Sequence, residues 1–314
     1  MVTYNQEKYI AKAIESVLSQ RVNYNFELVI GEDNSTDFTK NIVTEYARKY
    51  PTLIKVISTE KNVGARKNSN RVAKACLGKY IAYCEGDDYW HDKDKLQKQV
   101  YFLENNSDYG LIHSDFDLFL EGDQRLIQSY NKRNKNNIPS GWIFYKLLDP
   151  SKYLIRTPTV CIRKEYLLNF PVYEIMAERG WHLGDLPLWL EISHHSKIKY
   201  LNESCATYRV LEESAGNTLD PLKKSKMHRA VYDVRYYMIN KYGCPKKIKD
   251  KVDKHYSRAL LGDAFRLQDV NIAKEAITEL KQKGLKPKFK DWLYFYGAKR
   301  NLLNKIIRLF RKIK

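Results

Sequence analysis

The sequence predicts an α/β fold: a mostly parallel sheet flanked by helices, with a C-terminal all-helical extension. Three observations predict it. Short apolar strand-like segments alternate with segments of helical spacing through the first third of the chain. Two clusters of acids, Glu32-Asp33 and Glu85 to Asp88, stand where such strands end. From about residue 216 the apolar pattern is helical throughout. Alternating β and α with short links gives a parallel sheet wrapped by helices. Ligands of such sheets bind beyond the carboxyl ends of the strands.

Taken in order, Tyr9, Ile10, Ala13, Ile14, Val17 and Leu18 recur at helical spacing. Phe26 to Ile30 reads as a short buried strand. Asp37 can cap a helix with Ile42, Val43, Tyr46, Ala47 and Tyr50 on its apolar face, stopped by Pro51. Leu53 to Ile57 is a second strand. Val72, Ala73 and Cys76 lie on a helix for which Gly78 is the expected left-handed cap. Tyr80 to Tyr83 is a strand running into the acid loop. Gly110 to Phe116, Thr157 to Ile162 and Lys197 to Leu201 read as further strands, and Leu186 to Ile192 as a helix. Asp123 to Pro139 is polar and basic and reads as a mobile loop. Turn signals at Gly243-Cys244-Pro245 and Gly284-Leu285-Lys286-Pro287 divide the helical region. The expected divisions are 1–115, 116–215 and 216–314.

Composition excludes several classes. A hydrophobic fraction of 43% over 314 residues supplies an ample core. The run of about eighteen apolar residues that a spanning helix needs is absent from the sequence. The N-terminal residues carry no secretory h-region. The five cysteines are scattered and match no metal-ligand spacing, so they read as reduced cytosolic thiols. A net charge of +18 attracts phosphates, nucleic acid or an anionic membrane surface. With 24 tyrosines it also raises single-stranded nucleic acid as a partner. The basic residues do not gather with aromatics in one stretch, and no helix-turn-helix, zinc or RNP signature appears, so a nucleic-acid partner is not expected.

Two segments carry chemistry. In Glu85-Gly86-Asp87-Asp88 three carboxylates crowd one loop, which costs energy unless a cation or hydrogen bonds absorb the charge. The plain alternative is a solvated turn, since Gly and Asp are ordinary turn residues. At the C-terminus, Leu302, Leu303, Ile306, Ile307, Leu309, Phe310 and Ile313 can share one helical face, with Lys and Arg on the other. Residues 297–314 thus read as a helix lying on an anionic membrane, or as a terminal helix docked on its own domain.

Several ordered segments together resemble family 2 glycosyltransferases, the large group with the GT-A (Rossmann-like) fold. They are Thr3-Tyr4-Asn5 ahead of a helix ending Ser16 to Gln20, Glu32-Asp33-Asn34-Ser35-Thr36-Asp37, Asn62-Val63-Gly64, Gly78 to Ile81 leading into Glu85 to Trp90, and Gly184-Asp185. The resemblance covers roughly residues 1–210. It implies an inverting, metal-assisted transfer of a sugar from a nucleoside diphosphate sugar to a saccharide or lipid-linked hydroxyl, in surface polysaccharide synthesis. Glu85-Gly86-Asp87 resembles the family's D-x-D motif with Glu in its first position. Asp87 and Asp88 are then the residues for Mg2+ or Mn2+, with Asp87 also on the diphosphate and Glu85 nearer the ribose or sugar. Asp33 matches the acid that binds the uracil ring, flanked by Thr3 and Tyr4. Asn62 and Gly64 line the nucleotide pocket, and Arg66 follows toward donor phosphate or sugar. Asp185 matches the general base, although it also suits the N-cap of the helix opening at Leu186. Trp90, Trp181 and His182 are acceptor-side candidates. The implied location is the inner face of the cell membrane, as a cytoplasmic peripheral protein.

The resemblance also sets expectations of departure. The family opens with a full apolar strand where this sequence has Met1 and Val2, so a late start within a central strand is expected. Each neighbouring backbone group then left buried and unpaired costs about 1–3 kcal/mol. A member that binds sugar nucleotides without transferring them is the competing reading. A dehydrogenase or pyrophosphorylase lacks its glycine-rich loop here.

Overall fold

The computed structural model describes residues 1–151, 155–181, 184–212 and 218–299. The chain divides into two units. One takes in Met1–Phe144 and Tyr153–Glu212, the other Tyr145–Lys152 and Glu213–Lys314.

The first unit begins with β1 (Val2–Thr3), α1 (Ile10–Leu18), β2 (Leu28–Glu32), α2 (Thr39–Lys49), β3 (Ile54–Ile57) and α3 (Ala65–Ala75). There follow β4 (Tyr80–Ala82), β5 (Tyr89–Trp90), α4 (Lys95–Glu104), β6 (Tyr109–Leu120), β7 (Arg125–Ile127) and α5 (Tyr130–Arg133); α6 (Phe144–Leu148) comes next in the chain and belongs to the second unit from Tyr145 on. A 3-10 turn at Thr157–Thr159 leads to β8 (Cys161–Arg163), α7 (Glu165–Asn169), α8 (Val172–Glu178), α9 (Leu186–His195) and β9 (Lys197–Val210). Strands β1, β2 and β3 form a parallel sheet in that order. A six-stranded sheet runs β4-β8-β6-β9-β5 with β7 on β6. In it only β6 and β9 pair in parallel, and the other pairs are antiparallel.

The apolar face of α1 (Ile10, Ile14, Val17) packs with Leu28 and Ile30 of β2, Val43 of α2 and Ile54 of β3. A second cluster joins Leu103 of α4, Ile112 of β6 and Cys161 of β8. Helix α3 lies directly on β2, because Asn68 Nδ2 donates to the Gly31 carbonyl at 2.7 Å. A Cβ at Gly31 would fall 2.5 Å from Asn68 Oδ1 and Val72 Cγ2, closer than real packing permits. At the chain start the Met1 ammonium donates to the Val29 carbonyl at 2.8 Å, and Val2 and Thr3 lie opposite Gly31 and Glu32.

The second unit is helical: α10 (Pro221–Tyr242), α11 (Lys246–Leu267), α12 (Val270–Gln282) and α13 (Phe289–Lys299). Asp220 and Asp269 accept from first-turn N–H groups of α10 and α12, satisfying donors a helix otherwise leaves open. Gly243 and Gly284, both at positive φ, end α10 and follow α12. Leu260, Leu261 and Ala264 of α11 pack on Ala273, Ala276, Ile277 and Leu280 of α12 and Ala298 of α13. Inside this unit Asp253 accepts from Tyr236 Oη at 2.7 Å and pairs with Lys283 at 3.0 Å, tying α10 and α11 to the end of α12.

Several expectations are corrected. Parallel pairing is confined to β1–β3 and β6/β9, because β5, β7 and β8 run opposite to the strands they pair with. Helix α3 ends with Cys76 in an extended conformation, and Gly78 is not left-handed. The segment 123–139 is ordered into β7 and α5, held from below by β6 acids. Asp115 accepts from the N–H groups of Asn131 and Lys132, and Asp117 from that of Ser129. The strand expected from Thr157 begins only at Cys161.

His113, on β6, lies fully inside the protein against the Tyr200 ring, with its Nε2 unpaired among the described residues. Burial pushes its imidazole down to about 3, so it is neutral when folded. Below its ordinary value near 6.5 the unfolded chain takes up a proton that the native state refuses. Stability from this group is therefore complete above about pH 6.5 and is lost toward pH 3, at up to about 1.4 kcal/mol per unit. His113→Phe should flatten the fall of the urea midpoint between pH 6.5 and 5. An unchanged slope assigns that acid sensitivity to another group.

Candidate active site

The carboxyl ends of β1, β2 and β4 build one wall of the site. The loops after β1 and β2 interlock. Asn5 N donates to Ser35 Oγ, Thr36 N to Asn5 Oδ1, Gln6 N to Thr39 Oγ1, and Glu7 N to Asp37 Oδ2. Glu32, fully buried, accepts from the N–H groups of Asn34 and Ser35 and so shapes the second loop. Asn5 and Asn34 take the left-handed conformation that short polar side chains tolerate.

Asp33 is 2% exposed. Its carboxylate accepts from Val63 N at 2.8 Å and Gly64 N at 2.9 Å, and Asn62 Oδ1 also accepts from Gly64 N. Asp33, Asn62 and Gly64 are therefore one constellation, in which the acid fixes the loop that enters α3. Gly64 has φ of 85°, a region that glycine adopts without steric cost. Arg66 stands half-buried in the first turn of α3. Thr3 is buried, its Oγ1 donating to Gln6 Oε1, whereas Tyr4 is 43% exposed.

The acid loop abuts this wall. Gly86 N donates to the Val2 carbonyl at 3.0 Å. A Cβ on Gly86 would lie 2.3 Å from Gln6 Oε1 and 2.8 Å from Thr3 Oγ1, so only glycine lets the loop close on β1. Asp88 is 2% exposed; its Oδ1 accepts from Arg209 N at 2.7 Å, and its Oδ2 has no hydrogen-bond partner among the described residues. Burial pushes the Glu85 carboxyl up to about 8, reinforced by the charges of Asp87 and Asp185. Asp88 is held well above the carboxylate range by burial, then by Asp87 and Glu85. Asp87 is also raised by burial, with Arg209 and Gln6 drawing it back. Three acids of one loop and Asp185 from another stretch thus act on one another, with Glu85 feeling both Asp87 and Asp185. Asp185 caps α9, accepting from Leu186 N at 2.7 Å.

A buried Asp88 oxygen with no hydrogen-bond partner among the described residues, in a loop with Glu85 and Asp87, is a donor set of the kind hard cations take. Among the described residues no three His, Cys, Asp or Glu side chains are assembled into a protein cage. Mg2+ or Mn2+ is commonly held by one or two carboxylates together with substrate phosphates. Asp88, whose Oδ2 is unpartnered among the described residues, and Asp87 are two such carboxylates, so the residues fit such an ion.

Three acceptor-side expectations fare differently. Trp90 is 5% exposed; its Nε1 donates to the Pro158 carbonyl, and Lys95 Nζ lies 4.2 Å from its ring centroid, so it is a core residue and not an open platform. Trp181 is likewise buried. Both follow from size, since a large ring beside a sheet gains most by leaving water. His182 and residues 300–314 lie outside the described residues. Sequence reasoning missed Arg209, whose N–H and guanidinium grip the acid loop, and Glu121 beside it. No local signal marks them, because they arrive from β9 and from the end of β6.

The family model described as glycosyl transferase family 2 matches residues 1–150. The chain is 43% identical over 212 residues to an uncharacterized protein of Mycobacterium tuberculosis, a match covering 66% of this chain and 57% of that one. It is thus aligned with little more than half the length of that relative. It is 30% identical to the putative teichuronic acid biosynthesis glycosyltransferase TuaG of Bacillus subtilis, over 68% of this chain and 78% of the relative. It is 29% identical to the UDP-Glc:alpha-D-GlcNAc-diphosphoundecaprenol beta-1,3-glucosyltransferase WfgD of Escherichia coli, over 71% and 81%. In fold it matches S. aureus TarS 1-349, solved in complex with UDP-GlcNAc, with a TM-score of 0.65 at 18% identity, covering 100% of this chain and 90% of the other. It also matches the mannosyltransferase PcManGT of Pyrobaculum calidifontis, solved with GDP-Man and Mn2+, with a TM-score of 0.57 at 14% identity, over 99% and 86%. The ordered motifs, the mixed α/β GT-A architecture and the identity to TuaG agree, and the chain belongs to glycosyltransferase family 2.

Proposed function

We propose that the protein transfers a sugar from a nucleoside diphosphate sugar, with uridine the favoured base, to a hydroxyl of a saccharide or lipid-linked acceptor. The observation that carries this reading is the buried acid loop. Its Asp88 Oδ2 has no hydrogen-bond partner among the described residues, and its Glu85 feels the charges of both Asp87 and Asp185. Such a cluster is costly in a protein that has no cation and phosphate to place there.

Asp33, Thr3 and Tyr4 are assigned to the base, and Asn62, Gly64 and Arg66 to the rest of the nucleotide. A carboxylate offers about four lone-pair positions, so Asp33 can keep its two loop N–H bonds and still accept from a base N–H. Glu85 faces ribose or sugar. Asp87 and Asp88 would hold Mg2+ or Mn2+, which when bound would supply Lewis-acid neutralisation of charge on the diphosphate. Asp185, its rotamer fixed at the start of α9, takes the acceptor hydroxyl proton as that oxygen attacks. The new bond joins the acceptor oxygen to the anomeric carbon, the bond from that carbon to phosphate oxygen breaks, and nucleoside diphosphate leaves from the opposite face. Attack from that side inverts the centre.

The acceptor is placed in surface polysaccharide synthesis, on a lipid carrier at the inner face of the cell membrane. The teichuronic acid glycosyltransferase TuaG and the diphosphoundecaprenol glucosyltransferase WfgD, to which the chain is similar, support this, as does the pattern of basic and apolar residues in 297–314. Among the described residues no helix is long and apolar enough to cross a membrane, so the attachment proposed is peripheral.

Asp185→Asn should lower turnover by about 10²–10⁴-fold, the usual worth of a general base, with donor affinity little changed. Normal turnover in that variant removes the assignment. A thermal-shift panel of nucleoside diphosphate sugars should raise the melting temperature with Mn2+ and much less in EDTA; a ligand at 100 times its Kd adds about 2.7 kcal/mol. A shift without any turnover over a broad acceptor set favours a binding protein. Deleting residues 297–314 should release the protein from phosphatidylglycerol-containing vesicles in a flotation assay, and undiminished flotation assigns membrane contact elsewhere.

A further inference from the structure

We propose that Glu121 and Arg209 form a clamp that holds the acid loop ready for its cation, with Glu121 a positioning residue that acts through Arg209. The proposal rests on the reading of Glu85 to Asp88 as the cation and diphosphate loop. Arg209 lies opposite Phe119 in the β6/β9 register, and Glu121 follows β6 directly, its N–H donating to the Val210 carbonyl. The longest strand pairing in the sheet therefore delivers both residues to the loop.

Arg209 engages the loop twice. Its main-chain N–H donates to Asp88 Oδ1 at 2.7 Å, and its Nε donates to the Asp87 carbonyl at 2.9 Å. Its Nη1 donates to Glu121 Oε2. The guanidinium sits 4.6 Å from the Tyr9 ring centroid and 4.9 Å from that of Phe119, and the side chain is 9% exposed. Aromatic packing and a planar fork leave it one orientation, which an ammonium could not reproduce.

Glu121 contributes direction. A buried guanidinium beside Asp87 and Asp88 is drawn toward their carboxylates and would neutralise the groups needed for the cation. Pairing with Glu121 satisfies its charge on the far side and leaves Nε on a backbone carbonyl instead. The link from Glu121 to the loop runs through Arg209, which bonds both.

The test measures UDP binding by calorimetry on the full chain, once with Mn2+ and once in EDTA. Glu121→Ala should weaken binding with Mn2+ by about 10–100-fold, the range for losing a group that orients metal ligands, and leave binding in EDTA unchanged. Glu121→Gln, which keeps an acceptor oxygen, should fall between the two. Arg209→Lys should not rescue, and Glu121→Ala with Arg209→Ala should be no worse than Arg209→Ala alone, as expected of coupled residues. A wild-type Mn2+ increment in Glu121→Ala overturns the clamp, as do additive losses or equal weakening in Mn2+ and EDTA. Asp87→Asn separates the two levels. If it keeps the Mn2+ increment, the cation reading falls and the clamp with it; if it loses the increment while Glu121→Ala does not, the clamp alone falls.

Discussion

The site depends on carboxylates forced together where water is scarce. Gly86 lets its loop press against Thr3 and Gln6, and that closeness buries Asp88 and most of Glu85 and Asp87. Desolvation and like charge act in the same direction, raising the proton affinity of Glu85 and Asp88. Arg209 offsets part of that effect at Asp87 and Asp88. The neighbouring wall follows the same logic with opposite sign: Glu32 and Asp33 are buried too, but each is satisfied by two backbone N–H groups. Equal chemistry thus yields a structural acid in one loop and an electrostatically loaded one in the next.

Much of this was legible in the sequence, and the reason is local. Period-two and period-3.6 apolar patterns located β2, α1, α2 and the helices of the second unit, because burial of one face is decided within a few residues. The acid loop and Asp33 could be read from composition and order alone. Asp185 had two readings, helix cap and base, and its bond to Leu186 N is compatible with both.

What was illegible depended on distant partners. Strand direction in the larger sheet is set by the return path of β6, β8 and β9, which periodicity does not encode. The polar stretch from Asp123 looked unstructured because its order comes from Asp115 and Asp117 on another strand. Trp90 looked like a stacking surface because an aromatic next to an acid motif reads the same whether it faces solvent or the core. Arg209 and Glu121 were invisible for the same reason, since their importance lies in what they meet across the sheet.

The interlocked loops after β1 and β2 have a thermodynamic consequence. Asn5, Gln6, Glu7, Ser35, Asp37 and Thr39 already spend polar groups on one another, so if these loops carry a base as proposed, its floor is formed before any ligand arrives. Association with such a surface forfeits little chain entropy. Discrimination among bases then resides in how fast a poorly fitting one leaves, while arrival rates stay similar.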